Sequence, residues 1–566
     1  MRPSRAALVT LLVLALAGCA SVPTSGPVQR HSPQPAAAST GVQVAPLPPA
    51  QDATQLLVVE GFLHAMSVYE EGYPIARQYL TDDAAKSWRP EAGVQVYADG
   101  YPPTDTGQTV VLTAPLVGQI DSTGVYQPAT GQLRVGFDLQ KNADGQWRIS
   151  HPPDGLMVSR YLFGTGFAEV DVNFLAASGD VLVPEPRYFP IGDAALRQAA
   201  TAVVTGPSTW LAPAVRRPVD RGVTVVSASS DEDGLVRVVL GGTASELSPE
   251  VRQALLAELT YTLSGFDRVD SVEVFAGTER WFSGDGAGVF TDSTFAQLNP
   301  AGQGVRMLFW AREGKLHRQR DGATWTDFTE AASGLPKVEA LAVNARQDAW
   351  AAVSGAGTQL VTGTMDSQRP KPVRQGTGLL TPLFSRSGEL WSLDASGLGG
   401  LRVYRDGAEV KVSLSGPPKG RVVAAALAPD GVRIALVVES AGSTQIGLAR
   451  VVRTEARISV DGWHVIDLTP LGGTGSRALA LGWSGVTELA VLRNDGNAQT
   501  SVALVSQDGA TVTDIGPSDS TSLTALAAVP GRPALVLNSG SVLYRFSGEF
   551  DWEVVSTGVE AAAYPG

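Results

Sequence analysis

The sequence predicts a multidomain chain: two α+β domains followed by an all-β propeller of six blades. Three observations carry this. The region from about residue 290 repeats strand groups at a near-constant period. The region before it contains two separate helix-and-strand successions. Ahead of both lies a short apolar leader, then a Pro/Ser/Ala-rich stretch that cannot bury enough surface to fold. The divisions read as a leader at 1–18, a cysteine and tether at 19–50, α+β domains at 51–160 and 165–280, and a propeller at 290–566.

The leader opens with Arg2 and Arg5, then runs apolar from Ala6 to Ala17 with only Thr10 interrupting. That is a charged start followed by a segment too short to span a bilayer, the pattern of an export signal. Leu16-Ala17-Gly18-Cys19 follows and resembles the lipobox of bacterial lipoproteins. The resemblance implies cleavage between Gly18 and Cys19 and a thioether-linked diacylglyceryl group on Cys19; the alternative is an ordinary secretory signal with a chance cysteine. Each buried CH₂ contributes about 0.8 kcal/mol, so more than one acyl chain is needed for a lasting anchor. Cys19 is the one cysteine among 566 residues, which excludes internal disulfides and thiolate metal sites. The 31 residues Ala20–Ala50 reach about 95 Å if extended as polyproline, enough to hold a folded body clear of lipid.

The formal charge of −13, from 56 acidic and 43 basic side chains, argues against nucleic acid as a partner, since phosphates demand a basic face.

In the first α+β domain, Asp52 and Gln55 have capping-box spacing, and Leu56, Val59, Leu63 and Met66 share one helical face. A second short helix is expected in "PIARQYLTDDAAKSW". Alternating stretches follow, from "GQTVVLTAPLVGQI" to "GQWRIS". Helices followed by a curved antiparallel sheet are similar to the NTF2-like cone. In such a cone His64 either lines a pocket or is a partly buried helix residue.

In the second domain, "AEVDVNFLAASGDVLVPEPRYFP" reads as two strands around Ser178-Gly179-Asp180. A helix capped by Asp193 and stopped by Gly206-Pro207 comes next, then a hairpin across Asp233-Gly234. A helix with Ser248 as N-cap and Pro249 at its first position presents Val251, Leu255, Leu256, Leu259 and Leu263, and "DSVEVFAG" ends the domain. This β-β-α-β-β-α-β order, with Val183-Pro184-Glu185-Pro186-Arg187, resembles the GerMN domain of sporulation and envelope proteins over about 169–277. "SSDEDG" lacks the glutamate that an EF-hand carries at loop position twelve, where Gly242 stands, and reads as a polar turn.

In the repeats, starting strands end at Gln347, Gly388, Gly431, Gly485 and Gly531, spaced 41, 43, 54 and 46 residues apart. Trp350, Trp391 and Ile434 stand at one equivalent place, three residues past the turn. Four strands per such period signal a propeller. "VEAAAYPG" at the end is a starting strand with nothing after it, whereas "GVRMLFWAREGKLHRQRDG" lacks one before it. Joining the two closes a ring of six and removes its edges.

Chemistry is sparse. His31, His64, His151, His317 and His464 show no metal-ligand spacing. Gly482-Trp483-Ser484-Gly485 lacks the spacing of a nucleophile elbow, and "PLGGTGSRA" has no phosphate-loop lysine. No catalytic residue, metal or cofactor is assigned, and the chain reads as a non-enzymatic binding protein. Lipobox, tether, NTF2-like module, GerMN-like module and propeller, in that order and with "GCASVPTSGPVQ" at the start, resemble the actinobacterial LpqB lipoprotein family. The resemblance implies an extracytoplasmic, lipid-anchored protein of the cell membrane. Its implied partner is the extracytoplasmic domain of a two-component sensor histidine kinase, MtrB of the MtrA–MtrB system, whose phosphorelay it modulates with effects on cell-wall metabolism and division. The alternative is a binder of cell-wall glycan or peptide that uses the propeller channel. An envelope enzyme with converging carboxylates at the propeller mouth is the third reading.

Overall fold

The structure, a computed structural model, describes residues 45–566 apart from 193, 217–218, 220–221, 283–285, 287, 303–306, 321–325, 328–335, 366–368, 455–456, 467–475, 495–498 and 518–521. The described residues form one compact unit.

The first domain opens with helix Gln55–Ala65, whose Val58, Val59, Phe62 and Leu63 are buried. Its N-cap is Thr54, not Asp52: Thr54 is extended and its Oγ1 accepts the Leu57 N–H at 3.3 Å. Asp52 sits in a left-handed turn at φ 59° and exchanges hydrogen bonds with the Gln146 carboxamide, 2.7 and 3.1 Å. A cap must lie directly before the first helical residue to reach its free N–H groups, and Asp52 lies too early. The expected second helix is two, Pro74–Arg77 and Asp82–Ser87, divided where Thr81 turns extended and caps the latter. These helices pack on a sheet built about the long strand Val110–Ile120. Val94–Tyr97 and Thr104–Asp105 pair along one of its edges, and Tyr126–Pro128 and Gln132–Phe137 along the other. Leu156–Ser159 extends the sheet in parallel with Val94–Tyr97. Upstream of the first helix, the Tyr79 hydroxyl donates to the Leu47 carbonyl at 2.7 Å, so the chain is already seated on this domain there.

In the second domain, strands Phe167–Leu175 and Leu182–Pro190 form an antiparallel pair. A second sheet runs Val223–Ser230, Leu235–Gly242, Ser271–Ala276, Glu279–Arg280. Leu235–Gly242 and Ser271–Ala276 are parallel, so the chain must cross over between them. It does so through helix Pro249–Leu263, capped by Ser248 as expected. Leu255, Leu256, Leu259 and Leu263 are fully buried in it. The helix Ala195–Thr205 ends at Gly206 as expected, while Asp193 lies outside the described residues. The "SSDEDG" segment is a turn: Asp231 Oδ1 accepts the Asp233 and Leu235 N–H groups at 3.0 and 2.9 Å, and Gly234 takes φ +76°.

Residues 307–566 form six sheets among the described residues. Five have four strands; the fourth in chain order has five, because Val412–Leu414 adds in parallel outside Ile458–Ile466. The first strands of four sheets carry a bulge at the same place, between Val338/Ala340, Val422/Ala424, Ala478/Ala480 and Leu523/Ala525. A bulge there sharpens the twist of a strand that must turn sharply. Second strands such as Arg433–Ser440 are buried on both faces by neighbouring sheets, which is why they read as unbroken apolar runs. Trp350, Trp391 and Ile434 are all fully buried. The closing strand Ala561–Ala563 pairs with Met307–Arg312, Phe309 opposite Ala563, which joins the end of the chain to the first sheet as the sequence predicts.

Candidate functional site

Gly18, Cys19 and His31 lie outside the described residues. His64 is exposed on its helix and not partly buried: Phe62, Leu63, Ala65 and Met66 around it are buried, and His64 stands on the outer side of the same turn. His151 is exposed, His317 is buried and stacks on Trp310 at 5.8 Å, and His464 lies edge-on to Trp210 at 4.8 Å. The four described histidines are thus on separate elements. Among the described residues no group of three histidine, cysteine or acidic side chains converges as a metal site. Ser484 bonds the Glu488 carboxylate at 2.8 Å within a blade turn, and 470–475 of the glycine run lie outside the described residues.

The densest polar chemistry lies elsewhere, where all three domains meet. Strand alternation places Glu169 and Asp171 on the same face as Tyr188, since Glu169 pairs with Tyr188 and Asp171 with Pro186. That face is turned to the propeller. The Tyr188 ring packs on Tyr126 and Phe163 of the first domain, 5.8 and 5.2 Å between centroids. Its hydroxyl lies 3.1 Å from Glu169 Oε2 and 3.3 Å from Asp508 Oδ1 of the propeller. Beside it the Thr487 hydroxyl donates to Asp171 Oδ1 at 2.9 Å. Arg433, fully buried, bonds Asp430 and Gln507 and donates to the Pro184 carbonyl at 3.2 Å. It also lies over the Trp483 ring at 4.9 Å. A gap of about 20 Å³, room for one water, separates Tyr126, Phe163 and Arg160 from Gly509 and Ala510. A second contact lies further along, where the Trp210 Nε1–H donates to the Gly462 carbonyl at 2.6 Å and Arg450 bonds the Trp210 carbonyl.

The electrostatics of the junction are one-sided. Burial, then the charges of Asp508 and Asp171, push the Glu169 carboxyl well above its ordinary range. Burial raises Asp508 to about 6 against hydrogen bonds from Ala510, Ser506 and Tyr188. Burial also raises Asp171 and Glu488. Four carboxyls meet one guanidinium that is already committed to Asp430, so the site resists carrying all four negative charges at once. The sequence reading did not single out Glu169, Asp171, Tyr188, Glu488 or Asp508. Their one local signal is "VPEPRYFP", where prolines mark a strand unpaired along one edge.

Comparison with known proteins assigns the three parts. A model described as the N-terminal domain of lipoprotein LpqB matches residues 48–164. One for sporulation and spore germination (Germane) matches 171–277, and the LpqB β-propeller model matches 314–565. Lipoprotein LpqB of Cutibacterium acnes is 33% identical, covering 100% of this chain and 99% of that one. The chain belongs to the LpqB lipoprotein family. Lipoproteins LpqB of Streptomyces avermitilis and Mycobacterium tuberculosis are 28% and 27% identical, each covering 97% of this chain and 96% of the relative. Among solved structures, a chain of a nidogen/laminin complex aligns with 46% of this chain and 97% of its own at 7% identity and a TM-score of 0.36. In this LpqB-family chain the junction therefore draws on all three matched regions: Tyr126 on the N-terminal one, Asp171 and Tyr188 on the Germane one, and Arg433 and Asp508 on the propeller.

Proposed function

We propose that this lipoprotein acts by binding, not by turnover. Its partner is the extracytoplasmic domain of a membrane sensor histidine kinase of the MtrB type, whose phosphorelay it modulates, with effects on cell-wall metabolism and division. Full-length membership of the LpqB family is the observation that carries this reading. The compact unit formed by the described residues supports it, because a preorganised body loses less entropy on docking than three loose domains. A lipid anchor on Cys19 confines both partners to one membrane, and the resulting effective concentration gives high occupancy through a modest interface. The test is kinase autophosphorylation in proteoliposomes with and without the lipidated protein. A changed rate and co-purification of the kinase support the reading; an unchanged rate with no co-purification overturns it.

One observation favours the alternative, a cell-wall ligand, at a place other than the propeller channel. A groove of about 260 Å³ on the N-terminal domain is lined by Gln95, Gln119 and Gln127, which stand opposite one another on three adjacent strands. Such a row of carboxamides suits a neutral, hydrogen-bond-rich ligand such as glycan. Retention on isolated cell wall, lost in Gln95→Ala/Gln119→Ala, would select this reading.

A further inference from the structure

A proton count at Tyr188 points to a device that the proposed function does not contain. The Tyr188 hydroxyl has one hydrogen, yet it touches two carboxylate oxygens, Glu169 Oε2 at 3.1 Å and Asp508 Oδ1 at 3.3 Å. A phenol donates once. The second contact is a hydrogen bond only if one carboxyl brings a proton of its own. Asp508 Oδ1 already accepts the Ser506 hydroxyl at 2.7 Å and the Ala510 N–H at 3.0 Å, so it is the oxygen suited to remain ionised. Glu169 is the group suited to hold the proton and donate it to Tyr188. Glu169 lies on strand Phe167–Leu175, which leads into the Germane region, and Asp508 in the propeller, so this shared proton sits across the joint.

We propose that the propeller and the Germane domain are joined through a proton-dependent latch, Glu169–Tyr188–Asp508, which loosens as the medium turns alkaline. The other groups facing it do not neutralise a second negative charge. Strand Phe167–Leu175 adds Asp171, and strand Leu182–Pro190 turns Pro184 and Pro186 to this face beside Tyr188, with no further charge. The propeller turns add Glu488 and the pair Asp430–Arg433, and Arg160 lines the adjoining gap. Arg433 is held by Asp430 and Arg160 is exposed to solvent, so the four carboxyls Glu169, Asp171, Glu488 and Asp508 outnumber the cations that face them. The sign follows. Docked values lie above those of the separated domains, where a carboxyl titrates near about 4. The joint is therefore strongest in acid and weakens as pH rises through the docked values, by about tenfold per pH unit for each proton held.

The test is amide exchange on the full mature chain at pH 6 and pH 8, corrected for the intrinsic rate. Strand Ala349–Ser354, buried in a distant sheet, is the internal reference. Protection of residues 167–175 and 484–511 should fall at least tenfold at pH 8 relative to that reference. Glu169→Gln and Asp508→Asn, which keep shape but remove a titrating carboxyl, should each abolish the fall. Equal protection at both pH values in the unmodified chain, or the same loss in both variants, would overturn the latch.

Discussion

The Glu258 carboxyl accepts the backbone N–H of Leu175 at 2.8 Å, so a helix side chain completes the edge of a strand. One helical turn on, Thr262 Oγ1 does the same for Asn173 at 2.9 Å. Among the described residues strand Phe167–Leu175 has a partner strand along one edge only, the other being met at its end by the Arg216 N–H on the Leu175 carbonyl at 2.7 Å, and a buried unpaired N–H costs about 1–3 kcal/mol. These two side chains stand in for the missing partner strand. Glu258 is fully buried, and burial raises its carboxyl to about 8. A raised carboxyl stabilises the fold below its unfolded value, and that stability is lost as pH rises through the folded one. Melting temperature should therefore decline from pH 6 to pH 9. Glu258→Gln should flatten the decline, and Glu258→Leu should lower the melt at every pH by leaving Leu175 unpaired.

Glu389 presents the opposite case. It is fully buried, yet its carboxylate accepts from Arg405 at 2.7 Å, Arg453 at 3.1 Å and Trp391 Nε1 at 3.2 Å. Burial opposes ionisation, but Arg453, Arg405 and Trp391 together hold the carboxyl below its usual range. The stability it brings is present at neutral pH and is lost as pH falls through that depressed value. Glu389→Ala leaves two guanidinium groups without their partner and should cost about 3–5 kcal/mol. Calorimetry of the propeller transition measures it. Glu389→Gln should lose less at neutral pH and show a weaker acid dependence.

Cys19 tests the anchor. Cys19→Ala should release the protein to the soluble fraction while its circular dichroism stays unchanged. No helix among the described residues is long and apolar enough to cross a membrane, and a lipid on Cys19 is the proposed attachment. A variant that stays in the membrane fraction with its signal removed, and in the absence of the kinase, contradicts lipid anchoring at this residue.

What could be read from the chain was whatever repeats or acts locally. The period of the propeller, the Ser248 cap and the Asp233-Gly234 turn depend on neighbours within a few residues. The Asp52 reading failed at the same scale, because Thr54 offers an equal oxygen two residues closer to the helix. The junction was not legible for a different reason. Glu169, Asp171 and Asn173 alternate with Val170, Val172 and Phe174, the pattern of a strand with one face in water. Only the fold brings Asp508, more than three hundred residues away, onto that face. Glu258 was hidden in the same way, a polar residue between leucines on a helix buried on both sides.

The ring closure makes the sharpest demand on the chain's last residues. Strand Ala561–Ala563 pairs with Met307–Arg312, and Glu560 ties two sheets together. Its Oε1 accepts the Glu313 N–H at 3.1 Å and its Oε2 the Val338 N–H at 2.9 Å. Further on, the Tyr564 hydroxyl donates to the Pro533 carbonyl at 2.9 Å, and the Gly566 N–H donates to the Val343 carbonyl at 3.0 Å. Three sheets are therefore held by one short segment. Chain ends are ordinarily the part most tolerant of trimming, but here removal of 559–566 leaves the edge of Met307–Arg312 without its partner strand and severs the bonds to Val338, Val343 and Pro533. The truncated chain should melt at least ten degrees lower in its propeller transition and bind a hydrophobic dye that the intact chain does not. Glu560→Ala, which keeps the strand and removes only the two side-chain bonds, should fall between them. An unchanged melt in the truncated chain would mean that the first and last sheets hold together without this strand.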